Sequence, residues 1–332
     1  MPSRIVYKML ISIEILVLIG LIIFVSLTIG IAFRSVLFHP NFRSMITFLL
    51  AHSYIYIPCR IRLILHQERV FAVDLKDGAD LMEIMLIISS ILRVYHGLNV
   101  LFLYCAVVIE RVLATRYMHD YELKRRFYIS IILRIAVVFM SLFFALELSF
   151  VFLELTYRFY LALIAFCGSI SAVTSVYLYF YNRHRLKHVL KRTDSYSLSL
   201  RYQLIENMRA FRFLQTITAV GVAGITVNCL IVAVPQFILE ERTNAMELCG
   251  AAFETLYALT YLSGIILCFL SQPVWKREFR MQMRDSYLWK RLACPKFEDS
   301  AALVRRNVTD ETNVYFDDLV KNWDLQLKKT KK

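Results

Sequence analysis

The sequence predicts an all-α bundle of seven transmembrane helices, with a short amphipathic inner-surface helix after the seventh span. Three observations carry this prediction. The chain of 332 residues is 58% hydrophobic, with a mean hydropathy of +0.54, whereas soluble domains are about half apolar. Its apolar residues gather into seven runs near the length of about 20 residues that a bilayer core requires. Only six prolines and nine glycines interrupt the chain, and the alternation and turn clusters of strands are missing.

The runs lie near residues 9–33, 44–65, 84–110, 127–147, 159–181, 213–237 and 249–272. Arg4 and Lys8 precede the first, as in a secretory signal. Its apolar core is too long for one and no small-x-small cleavage site follows, so it reads as a retained anchor. The second is the least apolar, with Arg60 and Arg62 in its last turn, and the fourth carries Arg134. The connections near 66–83, 148–158 and 238–248 are short and leave no room for a folded ectodomain. The connection 182–212 is the longest. Within it Leu204, Met208 and Phe211 recur at helical spacing, which predicts a helical extension leading into the sixth span. After Pro273, residues Val274, Trp275, Phe279, Met283 and Leu288 alternate with basic residues, as in a helix lying along a membrane surface. The chain therefore divides into a membrane domain, 1–291, and a polar, loosely ordered tail, 292–332.

Lysine and arginine orient the bundle. Of 39 such residues, 29 fall in the first, third and fifth connections and the tail, six in the amino-terminal stretch and the other connections, and four within spans. Cytoplasmic segments carry that excess, so the amino terminus is expected outside and the tail in the cytosol. The net charge of +13 suits anionic inner-leaflet lipid and calls for no nucleic-acid partner.

The seven cysteines are scattered, without a CxxC, a pattern that does not favour thiolate metal sites. Cys59 and Cys249 both fall near outer helix ends, where an oxidising exterior permits a bridge; ordinary apolar packing is the other reading. Cys294 follows the amphipathic stretch and is either a palmitoylation site or a free cytosolic thiol.

The strongest constellation is Glu110–Arg111, an acid–arginine pair at the inner mouth of the third span, with Tyr121-Glu122 about three turns on. Beside lipid, Arg111 needs a partner, which Glu110 or Glu206 at the foot of the sixth span can supply. An arginine that exchanges partners when the sixth helix moves is a bistable switch; an arginine that merely marks the inner boundary is the plainer reading. A second constellation is Arg93, His96 and Asn99, which repeat every three residues along one slanted face. Arg93 lies roughly 25 Å from Glu110, and Glu254 roughly 28 Å from Pro273, so the two charges share a depth. They are expected to flank a ligand pocket faced by His96, Asn99 and Tyr257, or to form a structural ion pair, with Glu14 as an alternative partner.

Taken together, IERVLATRYMHDYE, RYQLIENMRAF and QPVWKREFR resemble the nematode serpentine chemoreceptors of class epsilon (Sre), across residues 110 to 280 and all seven helices. That resemblance implies a chemosensory receptor in the plasma membrane, in the sensory cilia of neurons, coupled to a heterotrimeric G protein and responding to a small-molecule ligand. By similarity, Glu110, Arg111, Tyr121, Glu122, Tyr202, Gln203, Glu206, Asn207, Pro273 and Trp275 match the family pattern; no ligand contact is implied by it. The chain departs from the wider rhodopsin-like pattern. The first span has no asparagine, the second no aspartate, and Gln272-Pro273 stands where Asn-Pro would be expected.

Enzyme classes find no support. His184 and His188 have the spacing of a histidine box but stand alone, among Arg183, Arg185 and Lys187. No Walker loop, dinucleotide fingerprint or HExxH is present; neither cofactor nor metal is expected. The alternative is a seven-span ligand-gated ion channel of the insect odorant-receptor kind, which runs with its amino terminus inside, opposite to the charge count.

Overall fold

Apolar runs too long for a soluble core, with few glycines and prolines, fold here as seven helices. The computed structural model describes residues 2–34, 39–68, 70, 81–117, 126–150, 154–191, 198–238, 243–272, 275–277 and 279–280. The helices are α1 Pro2–Arg34, α2 Pro40–Gln67, α3 Leu81–Arg116, α4 Phe127–Phe150, α5 Glu154–Lys191, α6 Leu198–Ile238 and α7 Thr243–Ser271, with no strand among the described residues. The first six contain their expected spans and extend beyond them, while α7 starts six residues earlier than expected and stops one residue short, at Ser271. Charged and polar flanks are helical too, and hydropathy registers only the part of a helix that suits lipid. The expected connection 182–212 shrinks most, because α5 runs on to Lys191 and α6 begins at Leu198.

Among the described residues, six helices hold a stretch long and apolar enough to cross a membrane. The seventh, α5, is 38 residues long and packs between α6 and α3. The bundle closes through α7, which packs on both α6 and α1, while α1 also packs on α2. Helix α3 touches α2, α4, α5 and α6 and occupies the centre. Its position explains why α3 buries Ser89, His96, Asn99, Glu110, Arg111 and Thr115: a helix with neighbours on most sides can keep polar groups out of lipid around most of its circumference. Helix α4 shows the opposite arrangement. Ser130, Val137, Ser141 and Ala145 face inward, while Ile132, Ile135, Phe139 and Phe143 are exposed. Small residues let helix backbones approach, and the large apolar side chains meet lipid.

The entry to α2 is fixed locally. Pro40 occupies the first turn, and the His39 ring accepts from the Asn41 N–H at 3.2 Å, capping an otherwise orphaned donor. Pro58 sits inside α2, as membrane helices tolerate when neighbours surround them.

The chain divides into two compact units, Met1–Glu278 and Phe279–Lys332. The first is the helical bundle. Trp275–Arg277 and residues 279–280 are helical; the rest of the expected amphipathic helix, and the tail with Cys294, lie outside the described residues.

Candidate functional site

Two polar clusters lie at opposite ends of α3. At one end are Glu110 and Arg111. Adjacent residues leave a helix about 100° apart, yet the Arg111 guanidinium folds back onto both carboxylate oxygens of Glu110. Nε donates to Oε2 at 2.5 Å and Nη2 to Oε1 at 2.7 Å. Its Nη1 donates to Asn207 Oδ1 on α6 at 3.1 Å. Both residues are sealed, with relative exposures of 0% and 1%. The guanidinium carbon stands 5.1 Å from the centre of the Phe42 ring, a favourable cation–π placement. Phe42 meets Phe213 edge-on at 5.9 Å, and Phe213 meets the buried Trp275 at 5.5 Å. A buried ion pair is tolerable when its spare hydrogen-bonding groups are also engaged, and Asn207 meets that need here.

The other expected partner, Glu206, accepts from the main-chain N–H of His39 at the head of α2. Adjacent residues of α6 thus reach different helices, Glu206 to α2 and Asn207 to α3. Asn182 of α5 joins the same end by donating to Thr115 Oγ1 at 3.4 Å. Gln203 is half-buried on α6. Tyr202 is on α6, but its side chain is outside the described residues, as are Tyr121, Glu122 and Pro273.

At the other end, Arg93 and Glu254 meet, with Nη1 to Oε1 at 2.5 Å. They are half of a longer chain of charges. Arg60 Nε lies 3.6 Å from Glu254 Oε2, and Arg60 is gripped by Glu14, Nε to Oε1 at 2.5 Å and Nη2 to Oε2 at 3.0 Å. The order Glu14–Arg60–Glu254–Arg93 runs across α1, α2, α7 and α3. Glu14 is therefore the partner of Arg60 rather than the alternative partner of Arg93. Arg60 is not a charge at a helix end but a wholly buried residue. Only Arg93 keeps about a third of its side chain exposed.

Aromatic groups line this chain. His96 Nδ1 is 2.9 Å from Tyr257 Oη, and the His96 ring stacks on Tyr56 at 4.5 Å. Tyr261 abuts His96 edge-on at 5.2 Å and shares a hydrogen bond of 2.8 Å with Ser53. Asn99, one turn deeper, donates within α3 to Tyr95 Oη at 3.1 Å. Ser53, Tyr56, Arg60 and Tyr261 escaped the sequence reading. The available signal was the spacing of Ser53, Tyr56 and Arg60, which places them on one face of a helix; a run interrupted by arginine is easily read as a helix end instead.

Cys59 and Cys249 are free, unbridged thiols, so of the two readings the bridge is corrected and packing without a bridge stands. Helices α2 and α7 both pack on α1 and meet chiefly through long side chains such as Tyr56 with Tyr257. A disulfide needs Cα atoms within about 7 Å. His184 and His188 lie on an exposed stretch of α5, Nε2 to Nε2 at 2.8 Å. No group of three or more metal-ligating side chains forms among the described residues.

The arrangement joins helices through charge and aromatic contact. The Serpentine receptor class epsilon-30 of Caenorhabditis elegans is 27% identical over 248 residues, 72% of this chain and 66% of that protein. Class epsilon-31 of the same organism is 27% identical over 270 residues, 77% of this chain and 70% of that protein. Class epsilon-1 is 24% identical over 300 residues, 88% of this chain and 84% of that protein. The chain thus spans about two thirds of the length of the first of these. The family described as "Sre G protein-coupled chemoreceptor", a receptor and not an enzyme family, matches residues 2–324, and the chain belongs to it.

Proposed function

We propose that the protein is a chemosensory receptor of the plasma membrane, with its amino terminus outside. It detects a small molecule at the Arg93 end of α3 and engages a heterotrimeric G protein at the Glu110 end. The observation that carries this reading is the hydrogen bond from Arg111 to Asn207. It ties α3 to α6 at a buried charge, and release of that tie frees the foot of α6 to swing away. Movement of a helix against a discrete polar contact is a two-state element that a ligand can bias. At the opposite end, Arg93 and Glu254, with His96 and Tyr257, join α3 to α7. A ligand that alters this junction acts on the same central helix. Basic residues exposed on the nearby end of α5, among them Arg183 and Lys187, suit an acidic partner surface. The sensory ciliary membrane of neurons is the expected site of action.

Arg111→Ala, with epitope tags on both termini, tests the reading. We expect the amino-terminal tag to stain intact cells and the tail tag to need permeabilisation. Because it leaves Glu110 buried without its arginine, the variant should reach the surface at a lower level, and at matched surface level it should lose ligand-driven G-protein activation, since α6 is already released. A normal response from Arg111→Ala excludes the switch; an amino terminus hidden in intact cells excludes the orientation.

A further inference from the structure

Four buried polar atoms at the Arg93 end have no hydrogen-bond partner among the described residues: Tyr56 Oη, Arg60 Nη1, His96 Nε2 and Asn99 Oδ1. They come from two facing helix stretches. Tyr56 and Arg60 are one turn apart on α2, His96 and Asn99 are one turn apart on α3, and the Tyr56 and His96 rings stack. Their residues are sealed; His96, the most exposed of the four, shows 1%. An unpartnered buried polar atom is costly, and several in one place mark a site that something polar completes. There is also some room. A Cβ added to Gly97 would meet nothing nearer than Tyr257 Oη at 3.8 Å, which leaves methyl-sized space beside that hydroxyl.

The surrounding charges restrict what can enter. Glu14, Arg60, Glu254 and Arg93 comprise two carboxylates and two guanidiniums in one connected chain. They balance, so a ligand with net charge would stand uncompensated in a low-dielectric interior. The unpartnered atoms nevertheless offer a donor at Arg60, an acceptor at Asn99, and at Tyr56 a hydroxyl that serves as either.

We infer that this cluster binds an uncharged small molecule through a hydroxyl, carbonyl or amide group. Arg60 Nη1 and Tyr56 Oη donate to the ligand oxygen, and Asn99 Oδ1 accepts where the ligand carries a proton. The inference rests on the proposed ligand-facing role of this end of the bundle. It adds the chemical class of the ligand and extends the site onto α2. A resident water offers the same hydrogen bonds, and the test separates the two.

Thermal unfolding of the purified full chain in lipid nanodiscs, without G protein, is measured with hexanol, a hexanone, hexanoate and hexylammonium. We expect both neutral probes to raise the unfolding midpoint by about 2 °C or more and the charged pair to leave it unchanged. Tyr56→Phe keeps the ring against His96 and removes only the hydroxyl; it should fold and lose at least half of the hexanol shift. Gly97→Ala should reduce the shift by filling the adjacent space. Effects of hexanol on the lipid act on every variant alike, so the difference between variants is the readout. Equal or larger shifts from the charged probes overturn the inference, as does a full shift in Tyr56→Phe. No shift from any probe also overturns it and assigns the four atoms to resident water. A chain that activates a G protein yet shows no probe shift sinks this inference alone; a probe shift without activation leaves it standing and sinks the coupling.

Discussion

Glu14 accepts two hydrogen bonds from Arg60, at 2.5 and 3.0 Å, and neither side chain reaches solvent. The pair fastens α1 to α2, and through Arg60 it supports Glu254 on α7. Removing one partner of a buried pair leaves an uncompensated charge and costs about 3–5 kcal/mol, whereas a matched apolar pair is often neutral. Glu14→Leu and Arg60→Met alone should each lower surface expression sharply, and the double variant should recover most of it. Surface labelling with thermal unfolding decides; a double variant as poor as either single one would refute the pairing.

Glu254 serves two arginines at once, so its loss should exceed that of Arg93, which is partly exposed. The reverse swap Arg93→Glu with Glu254→Arg should fail to restore expression, because the new arginine would face Arg60. Cell-surface yield of the three variants tests this. Full rescue by the swap would show that Arg60 and Glu254 do not interact.

Asn207 gives Arg111 a neutral acceptor on another helix. Asn207→Ala leaves the Glu110 contact in place and removes one hydrogen bond to a charged group, about 1.5–3 kcal/mol. The expected result is raised basal G-protein activation at normal surface level. Unchanged basal activity would remove Asn207 from the switch.

Gly224 allows α6 to lie close against α7. A Cβ there would sit 2.2 Å from Thr260 Cγ2, whereas one at Gly221 would meet nothing within 4 Å. Gly224→Ala should destabilise by about 1–3 kcal/mol through overpacking. Gly221→Ala should be neutral or gain up to about 1 kcal/mol from helix propensity. Unfolding midpoints of the two variants give the comparison, and equal midpoints would contradict the close approach.

The existence and order of the seven helices were legible because lipid imposes length and hydropathy on each span separately. Glu110–Arg111 was legible because the two are neighbours in the chain, and Arg93 with Glu254 because constant helical rise places both at one depth. Arg60 was not. Its burial depends on Glu14 arriving from α1, a contact that no local pattern encodes. Nor did the sequence point to Asn207, the neighbour of the expected Glu206, as an acceptor for Arg111, since one residue rotates a side chain by about 100° and the docking of α6 sets what each meets.

By itself, then, the sequence determined what each helix is, how long its apolar part runs and which residues share a face, because those properties follow from local periodicity in a uniform solvent. The tertiary structure decided which charges meet: Glu14 with Arg60, Glu254 between two arginines, Asn207 with Arg111. Those pairings depend on the rotation of one helix against another, and that is set by packing around the whole bundle.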